Sequence, residues 1–223
     1  MQLSPILISL KTASVAIFFT FLLGLFAAQW VVKIQSKKVK MIMDGILTLP
    51  LVLPPTVVGF FLLFVFGVNR PLGRFLLHYL GVRIIFSWPA TVIAAVVVSF
   101  PLMYRSARGA FEQVDQNLIM AARTLRLSER QVFWRILMPQ ALPGVVGGGI
   151  LAFARGLGEF GATAMIAGNI ENRTRTLPMA IYSEVAAGNM DTAGYYVIIV
   201  LTISFLVVVL TNYVSIKEGN HEK

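Results

Sequence analysis

The chain has 223 residues, of which 57% are hydrophobic and only 13% charged, and its mean hydropathy is +0.78. These values fall outside the range of soluble proteins and place the chain in the membrane class, so the net charge of +9 is not a signature of nucleic-acid binding. The sequence has no cysteine, which excludes disulfides, zinc–thiolate centres and thiol redox chemistry.

A helix that crosses a bilayer needs about 20 predominantly apolar residues. Five stretches qualify, at about 10–32, 43–67, 86–104, 143–166 and 194–216. They imply an all-α integral membrane protein with one transmembrane domain over residues 1–223 and no room for a soluble domain. The first stretch is plain, relieved only by Thr, Ser and Gly24. Lys11 ahead of an apolar run ending in FAAQW loosely resembles a cleaved signal peptide. The run is long for one, however, and the basic KIQSKKVK at 33–40 reads as a stop-transfer flank, so we take a retained helix.

The second stretch, LTLPLVLPPTVVGF, carries Pro50, Pro54 and Pro55, each of which removes a backbone donor. In lipid the freed carbonyls need neighbouring helices or water. Either a packing kink or a deformed, pathway-lining segment fits. In the 68–85 loop, Arg70, Arg74 and His78 recur at helical spacing among apolar residues, which predicts a short amphipathic helix on the outer surface. Trp88 opens the third span; Pro101 and Tyr104 close it.

Segment 105–142 is studded with arginine yet keeps a helical period through Leu118, Ala121, Ala122 and Leu125, then Val132, Phe133, Ile136 and Leu137. Ser128 with Gln131 forms a candidate capping box, where a second helix restarts until Pro139 and Pro143 end it. Two such helices can lie on lipid headgroups or seat an apolar face in a partner's groove, and composition leaves both open.

In the fourth span Gly144, Gly148, Ala152 and Gly156 make a stripe that lets another helix approach closely. Its second half buries Arg155 and Glu159, four residues apart. A lone charge at mid-bilayer costs roughly 2.5–3.5 kcal/mol, so the two are either a self-compensating structural pair or a source of positive potential on an anion pathway. Leu177, Ile181 and Val185 are in step for a short external or interfacial helix, and the last span carries no charge. With the N-terminus outside, the cytoplasmic segments hold 12 Lys/Arg against 6 outside, which favours N-out and C-in.

AARTLRLSERQVFWRILMPQALPG at 121–144 resembles the EAA loop of ABC-importer permeases, whose pattern is E-A-A, three residues, G, nine residues, I-x-L-P. Ala121, Ala122, Ile136 and Pro139 match at the family's spacing, whereas Met120 stands for the Glu and Arg126 for the Gly. LPLVLPPTVVG, SFPLMYRSARGAFEQVD, LAFARGLGEFGAT and TRTLPMAIY, in that order over about 45–183, resemble the molybdate permeases and more loosely the sulfate permeases.

The resemblance implies a type I importer permease: a homodimer that works with two cytoplasmic ATPase subunits and a periplasmic or lipid-anchored oxyanion-binding protein in a prokaryotic inner membrane. It implies an ATPase-coupling set of Ala121, Ala122, Arg123, Leu125, Arg126, Ile136 and Pro139. Candidate pathway residues are Pro54, Pro55, Arg155, Glu159 and Thr163. No catalytic or metal-binding residue is expected, and ATP and Mg2+ belong to the partner subunits. The GVVGGGI run at 144–150 lacks the Lys and Ser/Thr of a phosphate-binding loop. Rival readings are a sulfate or tungstate permease and an ion-coupled secondary transporter. A membrane enzyme would need a polar cluster that a chain with only His78 and His221 does not suggest.

Overall fold

A computed structural model describes residues 2–219; His221 lies outside them. Its helices are α1 (Ser4–Val32), α2 (Lys37–Val52), α3 (Pro55–Phe66), α4 (Pro71–Leu80), α5 (Trp88–Gln113), α6 (Gln116–Thr124), α7 (Glu129–Val132), α8 (Met138–Leu157), α9 (Gly161–Ile166), α10 (Leu177–Ala186) and α11 (Met190–Gly219). A π-helical stretch, Phe133–Leu137, joins α7 to α8. Among the described residues four helical spans are long and apolar enough to cross a membrane, and a bent pair, α2 with α3, makes a fifth.

The layout inverts the logic of a soluble protein. On α1 the buried face is small and polar, with Ser9, Thr12, Ala16, Thr20, Gly24 and Ala28. Phe18, Phe19, Leu22, Phe26 and Trp30 are exposed on the other side, where lipid would lie. The buried face lies on α5, with Thr12 3.0 Å from Thr91 and Thr20 3.0 Å from Ser99. Hydroxyl pairs of this kind average about 0.6 kcal/mol in a membrane, so the close backbone approach carries more of the association than the hydrogen bonds do.

On the other flank of α5 lies α8, presenting the predicted stripe. Gly144 faces Ala110, Gly148 faces Ser106, and Gly156 approaches Ala95, while Ala152 is fully buried. A Cβ on Gly148 would overlap the Ser106 side chain. α10 and α11 close the bundle beside α1. There the Leu177 amide donates to Ser9 Oγ at 2.7 Å and the Tyr196 hydroxyl donates to the Gln2 carbonyl at 2.9 Å.

Three expectations change. The stretch at 43–67 is not one kinked helix: α2 and α3 meet at 108° across Leu53 and Pro54. Extended backbone at Leu53, as favoured before a proline, sets the corner. Pro139 and Pro143 do not end a helix, because the chain stays helical from Glu129 to Leu157. Pro139 follows directly on the π-helical turn, which takes up the ring, and Pro143 sits inside α8 without ending it. The span expected at 143–166 ends instead at Leu157 and resumes as α9 after Gly158–Phe160.

Gly148→Ala should lower the stability of the purified protein by about 1–3 kcal/mol, the usual range for overpacking. Ser106→Gly in the same chain should restore most of it, as thermal unfolding in detergent would show. Additive losses would mean that the two sites do not touch.

Candidate functional site

The arginine-rich segment is an elbow at one end of α5. Asp115 caps α6, its carboxylate accepting from the Asn117 amide at 2.8 Å. Ile119 and Ala122 turn inward to a cluster containing Phe111, Val114 and Val132. Leu118, Met120 and Ala121 face outward, as does Leu125, which is 76% exposed. One face of α6 therefore anchors in the core, and the other presents apolar side chains with nothing over them in this chain.

The turn after α6 is a Schellman motif. The Leu127 amide donates to Ala122 O at 3.2 Å and the Arg126 amide to Arg123 O at 2.9 Å. Its left-handed residue is Arg126, with φ +59°. The turn for which the resemblance leads one to expect glycine is thus made with an arginine, at the steric cost of a Cβ in that region. Ser128 and Gln131 then form the expected capping box. Arg123 spans the turn to Glu129 with bonds of 2.9 and 3.1 Å, and that carboxylate raises the Arg123 pKa. The Phe111 and Phe133 rings pack edge to face at 5.9 Å. Of the remaining coupling candidates, Ile136 is half-buried against the core and Pro139 is exposed.

The pathway candidates gather where the two broken spans meet. Pro54 caps α3 and Pro55 begins it. Gly161, the first residue of α9, lies so close that a Cβ there would stand 2.8 Å from Pro55 Cβ. Glu159, only 2% exposed, sits in the gap between α8 and α9. One of its oxygens accepts from Arg155 Nη1 at 2.9 Å and the other from the Ala162 amide at 2.8 Å. The carboxylate closes the broken end of α9 as well as pairing with Arg155. Thr163 is buried one turn further on.

A polar cluster that the sequence reading passed over ties α2 to α5. Asp44 accepts from the Tyr104 hydroxyl at 2.9 Å and pairs with Arg108. Arg108 also bonds Glu112 at 3.1 Å, and Lys40 reaches Glu112 at 2.6 Å. The signal was present as opposite charges four residues apart, Lys40/Asp44 and Arg108/Glu112. No residue of α2 is fully buried, so this cluster together with Met43 and Leu47 holds α2 in place. Among the described residues no three His, Asp or Glu side chains converge as metal ligands.

Arg126→Gly should raise the thermal midpoint, by about 0.5–1 kcal/mol in stability, since glycine takes a left-handed φ without strain. Arg126→Val should lower it, and a Gly variant no more stable than the parent would show that the turn carries no strain. Glu159→Leu should cost about 3–5 kcal/mol by stranding Arg155 and the Ala162 amide. Glu159→Gln, which keeps the acceptor, should cost less than half of that by the same unfolding measurement; equal losses would assign the role to charge alone.

The chain matches the model of the binding-protein-dependent transport system inner membrane component family over residues 6–216. It is 41% identical over 211 residues to the molybdenum transport system permease protein ModB of Escherichia coli K12, covering 94% of this chain and 92% of that one. To ModB of Haemophilus influenzae it is 37% identical over 216 residues, covering 96% and 94%. Its fold is similar to chains of the MetNI methionine ABC transporter (TM-score 0.68, 19% identity, 94% of each chain). It is also similar to a bacterial ABC transporter importing the polysaccharide alginate (TM-score 0.78, 14% identity, 96% and 79%). The all-helical architecture is that of ABC-importer permeases, and this chain belongs to the family of binding-protein-dependent transport system inner membrane components.

Proposed function

We propose that this chain is the transmembrane subunit of an ATP-driven molybdate importer. The observation that carries the coupling half of the reading is the α6 elbow. Its inner face is locked into the core by Ile119 and Ala122, while Leu118, Ala121 and Leu125 project from it. An apolar helix face beside arginines suits a groove on a soluble partner, and in this family the partner is a separate ATPase subunit that binds the ATP and Mg2+. Molybdate as cargo rests on relatives with 37–41% identity over nearly the whole chain that are named as molybdenum permeases.

In this reading two copies form one transmembrane domain in the inner membrane, each with its N-terminus outside and its C-terminus in the cytoplasm. Two ATPase subunits engage Ala121, Ala122, Arg123, Leu125 and Arg126, with Ile136 and Pro139 setting the direction of the following helix. An external binding protein delivers the oxyanion. Closure of the ATPases pushes on the elbows and shifts the spans between two packings, a rigid-body transition of the usual kind. Pro54, Pro55, Arg155, Glu159 and Thr163 lie along the path; Arg155, whose side chain is 33% exposed against 1% for Glu159, supplies the positive potential.

Uptake of radiolabelled molybdate by cells with and without the gene, in medium low in molybdate, tests the reading. Gene-dependent uptake that resists excess sulfate is expected. Uptake abolished by sulfate would move the cargo to sulfate, and uptake insensitive to ATP depletion would favour a secondary transporter. Leu125→Asp should cut uptake about tenfold or more, as charging an interface anchor does, with the membrane level unchanged. Undiminished uptake would remove Leu125 from the coupling set.

A further inference from the structure

At the end of α5 away from the elbow, α1, the start of α5 and the loop ahead of α10 line an open cavity of about 670 Å³. The 26 residues of α5 separate the two ends by about 39 Å, a full membrane thickness. Lys11, Arg83 and Arg173 line this cavity, and no carboxylate does. Among the described residues neither Arg83 nor Arg173 is in an ion pair, whereas the nearby Arg175 is bound to Glu171 at 2.7 Å. Lys11 lies 4.1 Å from the centroid of the Trp88 ring.

The helix beneath adds to this field. Ser87 turns its hydroxyl to Ile84 O and leaves the start of α5 without a side-chain cap, so the positive end of a long helix is open to the same space. The walls are fixed: Trp88 Nε1 donates to Thr12 Oγ1 at 3.1 Å, and the Phe86 amide donates to Ile166 O at 3.0 Å. Phe86 and Asn172 both line the cavity with φ of +55° and +59°. Positive φ is uncommon outside glycine and concentrates at ligand sites, where surrounding structure enforces it.

Three exposed cations share this cavity with no carboxylate in its lining, a field that attracts an anion. Two guanidinium forks and an ammonium suit a compact group with oxygens pointing in several directions, the geometry of a tetrahedral oxyanion. We propose that this cavity binds a tetrahedral oxyanion through Arg83, Arg173 and Lys11. The site deepens the importer reading and rests on it for placement on the face where substrate arrives.

Equilibrium dialysis of the purified full-length protein in lipid-stripped detergent against radiolabelled molybdate tests the site. The parent should retain the anion, less so as sodium chloride is added. Arg83→Gln/Arg173→Gln should weaken retention about tenfold or more, and Arg83→Lys/Arg173→Lys should recover part of it. Should the Gln pair fail to fold, Lys11→Gln alone should still weaken retention severalfold. Arg-dependent retention of phosphatidylglycerol without molybdate binding would keep the site and name a lipid phosphate as the oxyanion. Neither ligand responding to these variants, with thermal unfolding unchanged, would overturn the proposal. Gene-dependent uptake without such binding removes only the site; binding without gene-dependent uptake removes only the importer reading.

Discussion

Lipid gives an apolar helix no reason to prefer a neighbouring helix over the bilayer, so α1, α5 and α8 must gain by packing more closely than lipid chains can. The gain comes from backbone brought near backbone. On α8 the facing positions are Gly144, Gly148, Ala152 and Gly156; on α1 they are Ser9, Thr12, Ala16, Thr20, Gly24 and Ala28. α5 lies between these two thin faces and buries twelve of its residues. α2, α9, α10 and α11 each pack on this three-helix slab, and α3 packs on α9. The elbow hangs from the C-terminal end of α5, the cationic cavity opens at its N-terminal end, and α10 with α11 completes the bundle at α1.

The two interruptions inside the membrane follow from the same need for partners. Backbone that leaves the helical pattern in lipid must be satisfied by protein. The corner at Leu53–Pro54 and the gap at Gly158–Phe160 lie against each other, so that each shelters the other. Pro55 fills the space that the missing side chain of Gly161 leaves, and Glu159 takes up an orphan amide of α9. A glutamate that looks expensive in a hydrophobic run both pairs with Arg155 and closes the broken end of α9.

What could be read from the sequence was whatever is encoded locally. The glycine stripe of span four was legible because a contact made by absent side chains leaves a four-residue period. The capping box at Ser128 and Gln131 was legible because its partners are three residues apart. The equivalent stripe on α1 was passed over, since hydropathy rates Ala, Thr and Phe faces of a membrane helix nearly alike. Three prolines announced a deformation in span two, but not its 108° angle or its packing against α9, a hundred residues away. Pro139 and Pro143 misled in the other direction: the first is absorbed beside a widened turn, and the second sits inside α8 without ending it. Lys11, Arg83 and Arg173 are far apart in the chain, and only folding brings them to one cavity. The left-handed turn at Arg126 was hidden by an arginine standing where glycine is usual.

The uninterrupted helical path from Glu129 to Leu157 ties the elbow to the Arg155–Glu159 junction without any loop between them. Its 29 residues form a beam about 43 Å long, for which a tilt of about 5° at one end displaces the other by roughly 4 Å. One soft point is the widened turn at Phe133–Leu137 beside the elbow, and a second is Pro143, five residues into α8. A small movement imposed at the short arm would therefore arrive enlarged at the far end, in the way that a hinge placed near a door's edge lets the whole panel swing.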